Sequence, residues 1–161
     1  MKKLHKVLTI LAGAALLFAL AACGGKQEAA RAFTTGDLQA LAEAGAFSEE
    51  LEELDGDVAF MLYQLAGAGL DREALTDCAA LRSAGATCEE GAVLVFTDEQ
   101  TAQTAQSAMK GYLADQMDSN RDYRPDEIPK LENALLEQRE NTVLLVVAAD
   151  LDAAKGALGL S

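Results

Sequence analysis

The feature that most constrains the fold is an uninterrupted apolar run near the end of the chain. Residues 142–149 read Thr-Val-Leu-Leu-Val-Val-Ala-Ala, and no polar side chain alternates with the apolar ones after the threonine. A strand with one face in water alternates apolar and polar residues, so this run predicts a strand at the centre of a sheet, covered on both faces. The rest of the chain must supply the elements that cover it.

Earlier segments predict the neighbouring strands. Residues 75–82 and 89–96 are interpreted as two strands joined by a short turn, in which Gly85 adopts a positive φ without steric cost. Residues 131–138 are expected to pair with residues 142–149 in the same way. The sequence therefore predicts two antiparallel hairpins.

A helix is predicted after each hairpin. The Thr-Asp-Glu-Gln pattern of residues 97–100 is typical of a capping box and opens a helix to about residue 117, whereas Asp150 is expected to cap a helix over residues 151–158. Between the two units, residues 119–129 are predicted to be a polar loop, because Pro129 and the proline before it bar a helix from continuing.

Shorter helical segments are expected before the first hairpin. Residues 37–44 carry an apolar stripe, and Ser48 is expected to cap a turn of helix over residues 49–54. Together with the repeated strand-strand-helix unit, they predict an α+β fold in two layers. Its antiparallel sheet carries helices on one face and is preceded by the short N-terminal helices.

The first 22 residues have the composition of an export signal. Lysines at positions 2, 3 and 6 precede an uncharged apolar segment over residues 7–20. As a helix this segment would rise about 21 Å, which is short of the roughly 30 Å hydrocarbon core of a bilayer. A cleavable signal is therefore favoured over a membrane-spanning helix.

The end of this leader indicates the kind of signal. Residues 20–24 read Leu-Ala-Ala-Cys-Gly and resemble the lipobox of bacterial lipoproteins, in which the cysteine is acylated and becomes the new N-terminus. Cys23 is therefore the predicted lipidation site, and the alternative is an ordinary signal cleaved after Ala22. The predicted organisation is a signal peptide over residues 1–22, a lipidated cysteine with a flexible tether over 23–32, and a single α+β domain over 33–161.

Charge and composition exclude several classes of function. The leader holds three of the 13 basic side chains and none of the 26 acidic ones, so the remainder carries 26 acidic against 10 basic side chains. Such a surface is repelled by nucleic acid and by anionic lipid head groups. The single histidine, His5, lies in the leader, and without it the domain lacks the commonest general base and zinc ligand.

Three groups of residues together resemble a known family. They are Leu62-Tyr63, residues 83–90 (Ser-Ala-Gly-Ala-Thr-Cys-Glu-Glu), and residues 123–127 (Tyr-Arg-Pro-Asp-Glu) with 130–134 (Lys-Leu-Glu-Asn-Ala). The pattern is similar to the domain-of-unknown-function family numbered 4358, a family of Gram-positive envelope lipoproteins, and the likeness covers about residues 54–158. The family-like motif residues are Tyr63, Gly85, Glu89, Glu90, Tyr123, Pro125 and Leu131. The family has no established activity, so the resemblance implies location and fold without a mechanism.

Cys78 and Cys88 depart from the residues usual in that family. They lie on the two arms of the first predicted hairpin with Ser83 at their midpoint, so a disulfide across the strands is one prediction and two buried free thiols are the other.

Metal and catalytic patterns are incomplete in this sequence. Residues 118–122 imitate the start of a calcium loop, but Tyr123 replaces the glycine that the loop needs and Pro129 replaces its bidentate glutamate. No metal and no cofactor are therefore predicted. Tyr63, Tyr112 and Tyr123 are candidates to line a ligand groove, although core or loop-anchoring positions are commoner for tyrosine.

These observations predict a membrane-anchored extracytoplasmic lipoprotein that is a non-catalytic binding or accessory module of the cell envelope. The expected partner is an envelope protein or a wall component of neutral or positive character. One alternative is a lipoprotein that captures a small ligand for a transporter, although 139 residues are few for a two-lobed receptor. A carboxylate-dependent hydrolase is the remaining alternative.

Overall fold

The computed structural model describes residues 31–160, which form one antiparallel sheet and the helices packed on it. Five strands are present in this part of the chain: β1 (Glu52–Leu54), β2 (Leu75–Arg82), β3 (Glu90–Phe96), β4 (Leu135–Arg139) and β5 (Thr142–Val147). Their spatial order is β1-β2-β3-β5-β4, and every neighbouring pair is antiparallel. The predicted α+β class with a single antiparallel sheet is confirmed.

Five helices accompany the sheet over the same residues: α1 (Thr35–Glu43), α2 (Gly56–Leu62), α3 (Glu99–Asn120), α4 (Ile128–Glu132) and α5 (Leu151–Leu158). Short 3-10 turns lie at Ala66–Ala68, Arg72–Ala74 and Pro125–Glu127. Among residues 31–160, no helix has both the length and the apolar character needed to cross a membrane.

The apolar run at residues 142–149 forms β5, as predicted. β5 lies between β3 and β4, and each of its residues is buried. Its alternate side chains enter two separate apolar clusters, with Val143 and Leu145 on one face of the sheet and Leu144 and Val146 on the other. A strand of this composition is stable only where both faces are covered.

Helices accordingly pack on both faces. The predicted single layer of helices holds for α2, α3 and α4, whose buried side chains join Val143 and Leu145 in the larger cluster. In contrast, α1 and α5 cover the second face, where Leu38, Leu41 and Ala154 pack against the other side of β5. The physical reason is the second apolar face of β5, which would otherwise lie in water.

The helix boundaries follow local chemistry. The Asp98 carboxylate accepts a hydrogen bond from the Thr101 N–H at 2.8 Å and begins α3, so the aspartate and not Thr97 is the cap. At α5, Asp150 accepts from the Ala153 N–H at 2.8 Å, and Gly159 ends the helix with φ at 64°. The prediction for α5 is confirmed at both ends.

Two local predictions were wrong. Residues 49–54 contain β1 instead of a helical turn, because Ser48 does not cap a helix: its N–H and hydroxyl bind the Glu89 carboxylate at 2.7 and 2.6 Å. Residues 131–134 were expected to begin a strand, yet α4 spans Ile128–Glu132. Pro129 lies in the first turn of α4, where a backbone N–H has no helical partner, so the proline favours this helix instead of barring it.

Candidate functional site

A polar cavity of about 230 Å³ opens beside the turn that joins β2 to β3. The turn forms one wall, and the C-terminal part of α3 with the residues after it forms the other. The polar side chains of its lining are Arg82, Ser83, Thr87, Gln116, Asn120 and Arg124. The cavity thus lies where two of the segments that resemble a known family, residues 83–90 and 123–127, come together.

Side-chain hydrogen bonds hold the turn in shape. The Ser83 hydroxyl accepts from the N–H groups of Gly85 and Thr87 at 3.1 and 3.0 Å and donates to Glu49 at 2.7 Å. Gly85 has φ at 122°, a value that side chains other than glycine rarely tolerate, so the predicted positive φ is confirmed. From the opposite wall, Arg124 Nη1 donates to the carbonyl oxygens of Gly85 and Thr87, each at 3.1 Å.

Arg82 connects the cavity with the interior of the domain. Its Nη2 donates a long hydrogen bond to the Gln116 amide oxygen at 3.5 Å, while its Nε lies 3.9 Å from the Glu90 carboxylate. The Arg82 side chain is 37% exposed, whereas that of Glu90 is almost completely buried. One face of the guanidinium therefore meets solvent in the cavity, and the other approaches a buried acid.

Glu90 lies in a pocket of two tyrosines. Its carboxylate accepts hydrogen bonds from the hydroxyls of Tyr112 at 3.0 Å and Tyr63 at 3.5 Å. The two rings meet edge to face with centroids 5.2 Å apart. Burial raises the pKa of Glu90 to about 7, although Arg82 and the two hydroxyls lower it in part. Burial and the adjacent carboxylate also raise the pKa values of both tyrosines, which remain neutral donors.

Glu89, the preceding residue, has charged partners instead. Its carboxylate accepts from Lys130 Nζ at 2.8 Å and from the two donors of Ser48. Lys130 also donates to Glu127 at 2.9 Å, and Glu127 in turn accepts from the Cys88 N–H at 2.8 Å. Desolvation lowers the pKa of Lys130, but its two carboxylate partners outweigh that effect and raise the pKa. This network joins α4 and the segment before β1 to the start of β3.

The chemistry of the cavity is that of hydrogen-bond donation. Two guanidinium groups and two side-chain amides face it, and its lining includes no carboxylate. Cys88 is the one nucleophilic thiol in the lining, and burial raises its pKa, so little thiolate forms at neutral pH. The arrangement is suited to holding a ligand with acceptor groups.

The structure brings together only some of the family-like motif residues. Gly85 lies in the cavity wall, while Glu89 and Glu90 lie directly behind it. Tyr63 completes the pocket of Glu90, and Leu131 is a buried core residue. Outside this group, Tyr123 is 87% exposed and Pro125 is exposed at the start of a 3-10 turn.

Several residues of the site were not singled out by the sequence. Arg124 and Lys130 lie inside the segments that resemble a family, and this position is the signal that marks them. Tyr112, by contrast, was a candidate to line a ligand groove, but it is buried and its hydroxyl donates to Glu90. Nothing in the local pattern around Arg82 or Gln116 indicates their role, because they meet across elements that are distant in sequence.

The predicted cysteine pair is not bonded in the structure. Cys78 and Cys88 are both free thiols. The hairpin pairs Arg82 with Glu90 and Cys78 with Leu94, so its centre does not fall at Ser83 and the two thiols do not face each other across the strands. Both pack against the larger core cluster, and burial raises the pKa of Cys78 to about 11.

Two further predictions concern lipidation and metals. Cys23, the predicted lipidation site, lies outside the described residues. Within residues 31–160, no group of three or more histidine, cysteine or acidic side chains is arranged to hold a metal ion.

Comparison with known proteins gives one match. The sequence model of a family described as a domain of unknown function, DUF4358, matches residues 56–148. This span contains four of the five strands, the long helix and the polar cavity. No curated protein and no solved structure matches the chain.

Proposed function

The chain belongs to the DUF4358 family, and on that premise we propose that it is a lipid-anchored, non-catalytic binding module of the cell envelope. The observation that carries the binding role is the donor-lined cavity between the β2–β3 turn and α3. Two segments of the family match meet there, and the Arg124 side chain of one donates hydrogen bonds to the backbone carbonyls of Gly85 and Thr87 in the other.

The burial and the hydrogen-bond partners of the nearby ionisable groups support binding over catalysis. General acid–base work by a carboxylate requires a proton that substrate can reach. Glu90 has the perturbed pKa, but its side chain is about 2% exposed and its oxygens are engaged by Tyr63 and Tyr112. Glu89 is held in an ion pair with Lys130. Both acids stabilise the wall of the cavity, and neither lines it.

The anchor is supported by the sequence of the leader, in which residues 20–24 resemble a lipobox. Phe33 donates its N–H to the Thr142 hydroxyl at 3.0 Å, and the Arg139 guanidinium lies 4.5 Å from the centre of the Phe33 ring. The chain is thus attached to the sheet ten residues after Cys23. A diacylglycerol on that cysteine would hold the domain on the extracytoplasmic face of the membrane.

The charge of the domain guides the choice of partner. The strongly acidic surface favours an envelope protein or a wall component that is neutral or positive, and it disfavours anionic polymers. A second candidate function is the capture of a small ligand for a transporter. The cavity volume of about 230 Å³ supports it, because the cavity accommodates a small molecule as well as one side chain of a larger partner.

Both parts of the proposal are testable in cells. Intact mass of the protein from native membranes should show a diacyl increment that Cys23→Ala abolishes. A photo-crosslinking amino acid at Ala84, an exposed residue of the cavity wall, should capture a partner that the same group at Ala114 does not. Ala114 is the matched control, because it is exposed on α3 outside the cavity lining.

Each outcome has a definite meaning. An unmodified protein released to the medium would overturn the anchor. Identical products from positions 84 and 114, or none from either, would overturn the cavity as the binding site of a macromolecular partner. A crosslinked small molecule in place of a macromolecule would favour ligand capture.

A further inference from the structure

We propose that the cavity binds a carboxylate group, held between the guanidinium groups of Arg82 and Arg124. The inference rests on the proposed binding role of the cavity and names the class of its ligand. The carboxylate has two possible sources, a free small organic acid or the C-terminal end of a peptide.

The argument begins with the donors that the fold leaves available. A guanidinium has five N–H donors in a planar fork. Arg124 uses Nη1 for the two carbonyl oxygens of the turn, and its Nε and Nη2 form no hydrogen bond within residues 31–160. Arg82 makes one long hydrogen bond, to Gln116 at 3.5 Å. Both forks thus retain donors at the cavity wall.

The acids near the cavity lie behind its wall. No aspartate or glutamate lines the cavity. Glu90 lies 3.9 Å from Arg82 Nε on the buried side of the guanidinium, and burial raises its pKa to about 7, so it offsets the charge of Arg82 only in part. Glu49 accepts hydrogen bonds from the Ser83 and Thr87 hydroxyls, and Glu127 interacts with the charge of Arg124. The lining itself therefore carries two positive charges and no negative one, in a chain whose formal net charge is −13.

The shape of the donors favours a carboxylate. Arginine forks match the two oxygens of a carboxylate with a pair of parallel hydrogen bonds. The Gln116 amide in the α3 wall adds a polar contact for the rest of the ligand. A volume of about 230 Å³ is below the usual range of roughly 300–1,000 Å³ for ligand pockets, so the ligand is a small acid or one end of a larger molecule.

The charge of the whole domain limits the ligand further. Acidic side chains outnumber basic ones two to one in the chain. Their summed field repels an approaching anion in proportion to its charge. A singly charged carboxylate meets a smaller barrier than phosphate or a polyanion, and the two arginines are sufficient to neutralise it.

The test is a titration of the purified chain followed by amide NMR. The probes are N-acetylalanine for a peptide end, propionate for a small free acid, N-acetylalanine methyl ester as the uncharged match, and inorganic phosphate. N-acetylalanine or propionate should shift the amide signals of Gly85, Thr87 and Gln116, and the ester should not. Stronger binding of N-acetylalanine would identify a peptide end as the source, and stronger binding of propionate a free acid.

Substitutions test whether Arg82 and Arg124 bind the carboxylate. Arg82→Gln and Arg124→Gln should each weaken carboxylate binding at least about tenfold, because a charge-assisted pair is lost. Arg121→Gln is the matched control: Arg121 is exposed, pairs with Asp118 at 3.5 Å and does not line the cavity, so its loss should leave affinity unchanged. If Arg82→Gln fails to fold, Arg124→Lys tests the fork alone, since it keeps the charge and loses the planar geometry.

Three results would overturn the inference: no shift with either carboxylate, equal shifts with the methyl ester, or tighter binding of phosphate. Any of them, combined with an Ala84-specific crosslink in cells, would refute the carboxylate and leave the proposed binding role in place. Carboxylate binding together with no Ala84-specific crosslink would instead contradict the macromolecular partner.

Discussion

Neighbouring glutamates at the start of β3 show how one chain accommodates two buried acids differently. Successive side chains of an extended segment point to opposite sides. Glu89 thereby reaches Lys130 and Ser48, whereas Glu90 reaches two tyrosine hydroxyls and lies 3.9 Å from an arginine. Burial raises the pKa of Glu90 to about 7, although Arg82 and the two hydroxyls lower it in part. Glu90 is therefore the residue at which folding and protonation are coupled.

That coupling predicts how stability depends on pH. The pKa of Glu90 is about 7 in the folded protein and about 4.3 in an unfolded chain. Between these values the folded state binds a proton that the unfolded state releases, so the free energy of unfolding should fall as pH rises from 4.5 to 7. The loss is on the order of 3 kcal/mol. In Glu90→Gln this fall should be absent, as measured by denaturant unfolding at pH 5 and pH 8.

Comparing the wild-type protein with Glu90→Gln separates the contribution of Glu90 to the pH dependence of stability from those of the other acids. Hydrogen bonds or ion pairs lower the pKa values of Asp37, Glu49, Asp98 and Glu127, so their contributions are lost only as pH falls into the acid range. They remain in Glu90→Gln and should produce the same acid unfolding as in the wild type. Equal pH slopes between 5 and 7 in both proteins would contradict the assignment.

At the scale of elements, α1 packs closely on β3 at Gly91. A Cβ at Gly91 would lie 2.6 Å from Leu38 Cδ1 and 3.0 Å from Phe47 Cζ. Gly91→Ala should therefore destabilise the protein by about 1–3 kcal/mol, because α1 must shift from the sheet or adopt strained rotamers. Urea unfolding measures the change.

Gly111 in α3 is the matched control for that substitution. It is exposed, and a Cβ there would have no neighbour within 4 Å. Gly111→Ala should stabilise the protein by about 0.5–1 kcal/mol, because alanine loses less backbone entropy in a helix. A neutral effect of Gly91→Ala would show that the layer of α1 is loosely packed.

The elements that sequence reasoning predicted well are those whose determinants are local. β2, α5 and the Asp150 cap follow from apolar patterning and from side chains within a few residues of the helix end. β1 and α4 depend on distant contacts instead. Ser48 binds Glu89, 41 residues away, and α4 is fixed by Leu131 in the core and Lys130 on Glu89. Local propensity contains no information about such partners.

The same distinction explains how much of the candidate site could be predicted. Gly85, Glu89 and Glu90 were singled out because they lie in one continuous segment. The cavity itself is assembled from that segment, from Gln116 on α3 and from Arg124 after it. Their meeting depends on the register of the β2–β3 hairpin, which was centred incorrectly when Ser83 was taken as its midpoint.

At the scale of the whole molecule, charge should keep the domain from binding anionic membranes by itself. Beyond the leader, 26 acidic side chains face 10 basic ones. A Cys23→Ala form should therefore remain in solution when mixed with vesicles that contain anionic lipid, whereas the acylated protein should sediment with them. Neutral vesicles are the control for charge, and sedimentation of Cys23→Ala with anionic vesicles at low salt would contradict the expectation.

The attachment of Phe33 to β5 would limit how far the domain moves from the membrane if Cys23 carries a lipid. From Cys23 to Arg31 the chain has eight residue steps, which span at most about 28 Å when fully extended. Every encounter of the cavity would then take place in a layer next to the bilayer no thicker than this span and the domain together. Confinement of that kind raises the effective concentration of membrane-bound partners and converts a weak contact into a frequent one. The cavity could then function with a low intrinsic affinity, because the anchor would raise the frequency of its encounters with membrane-bound partners.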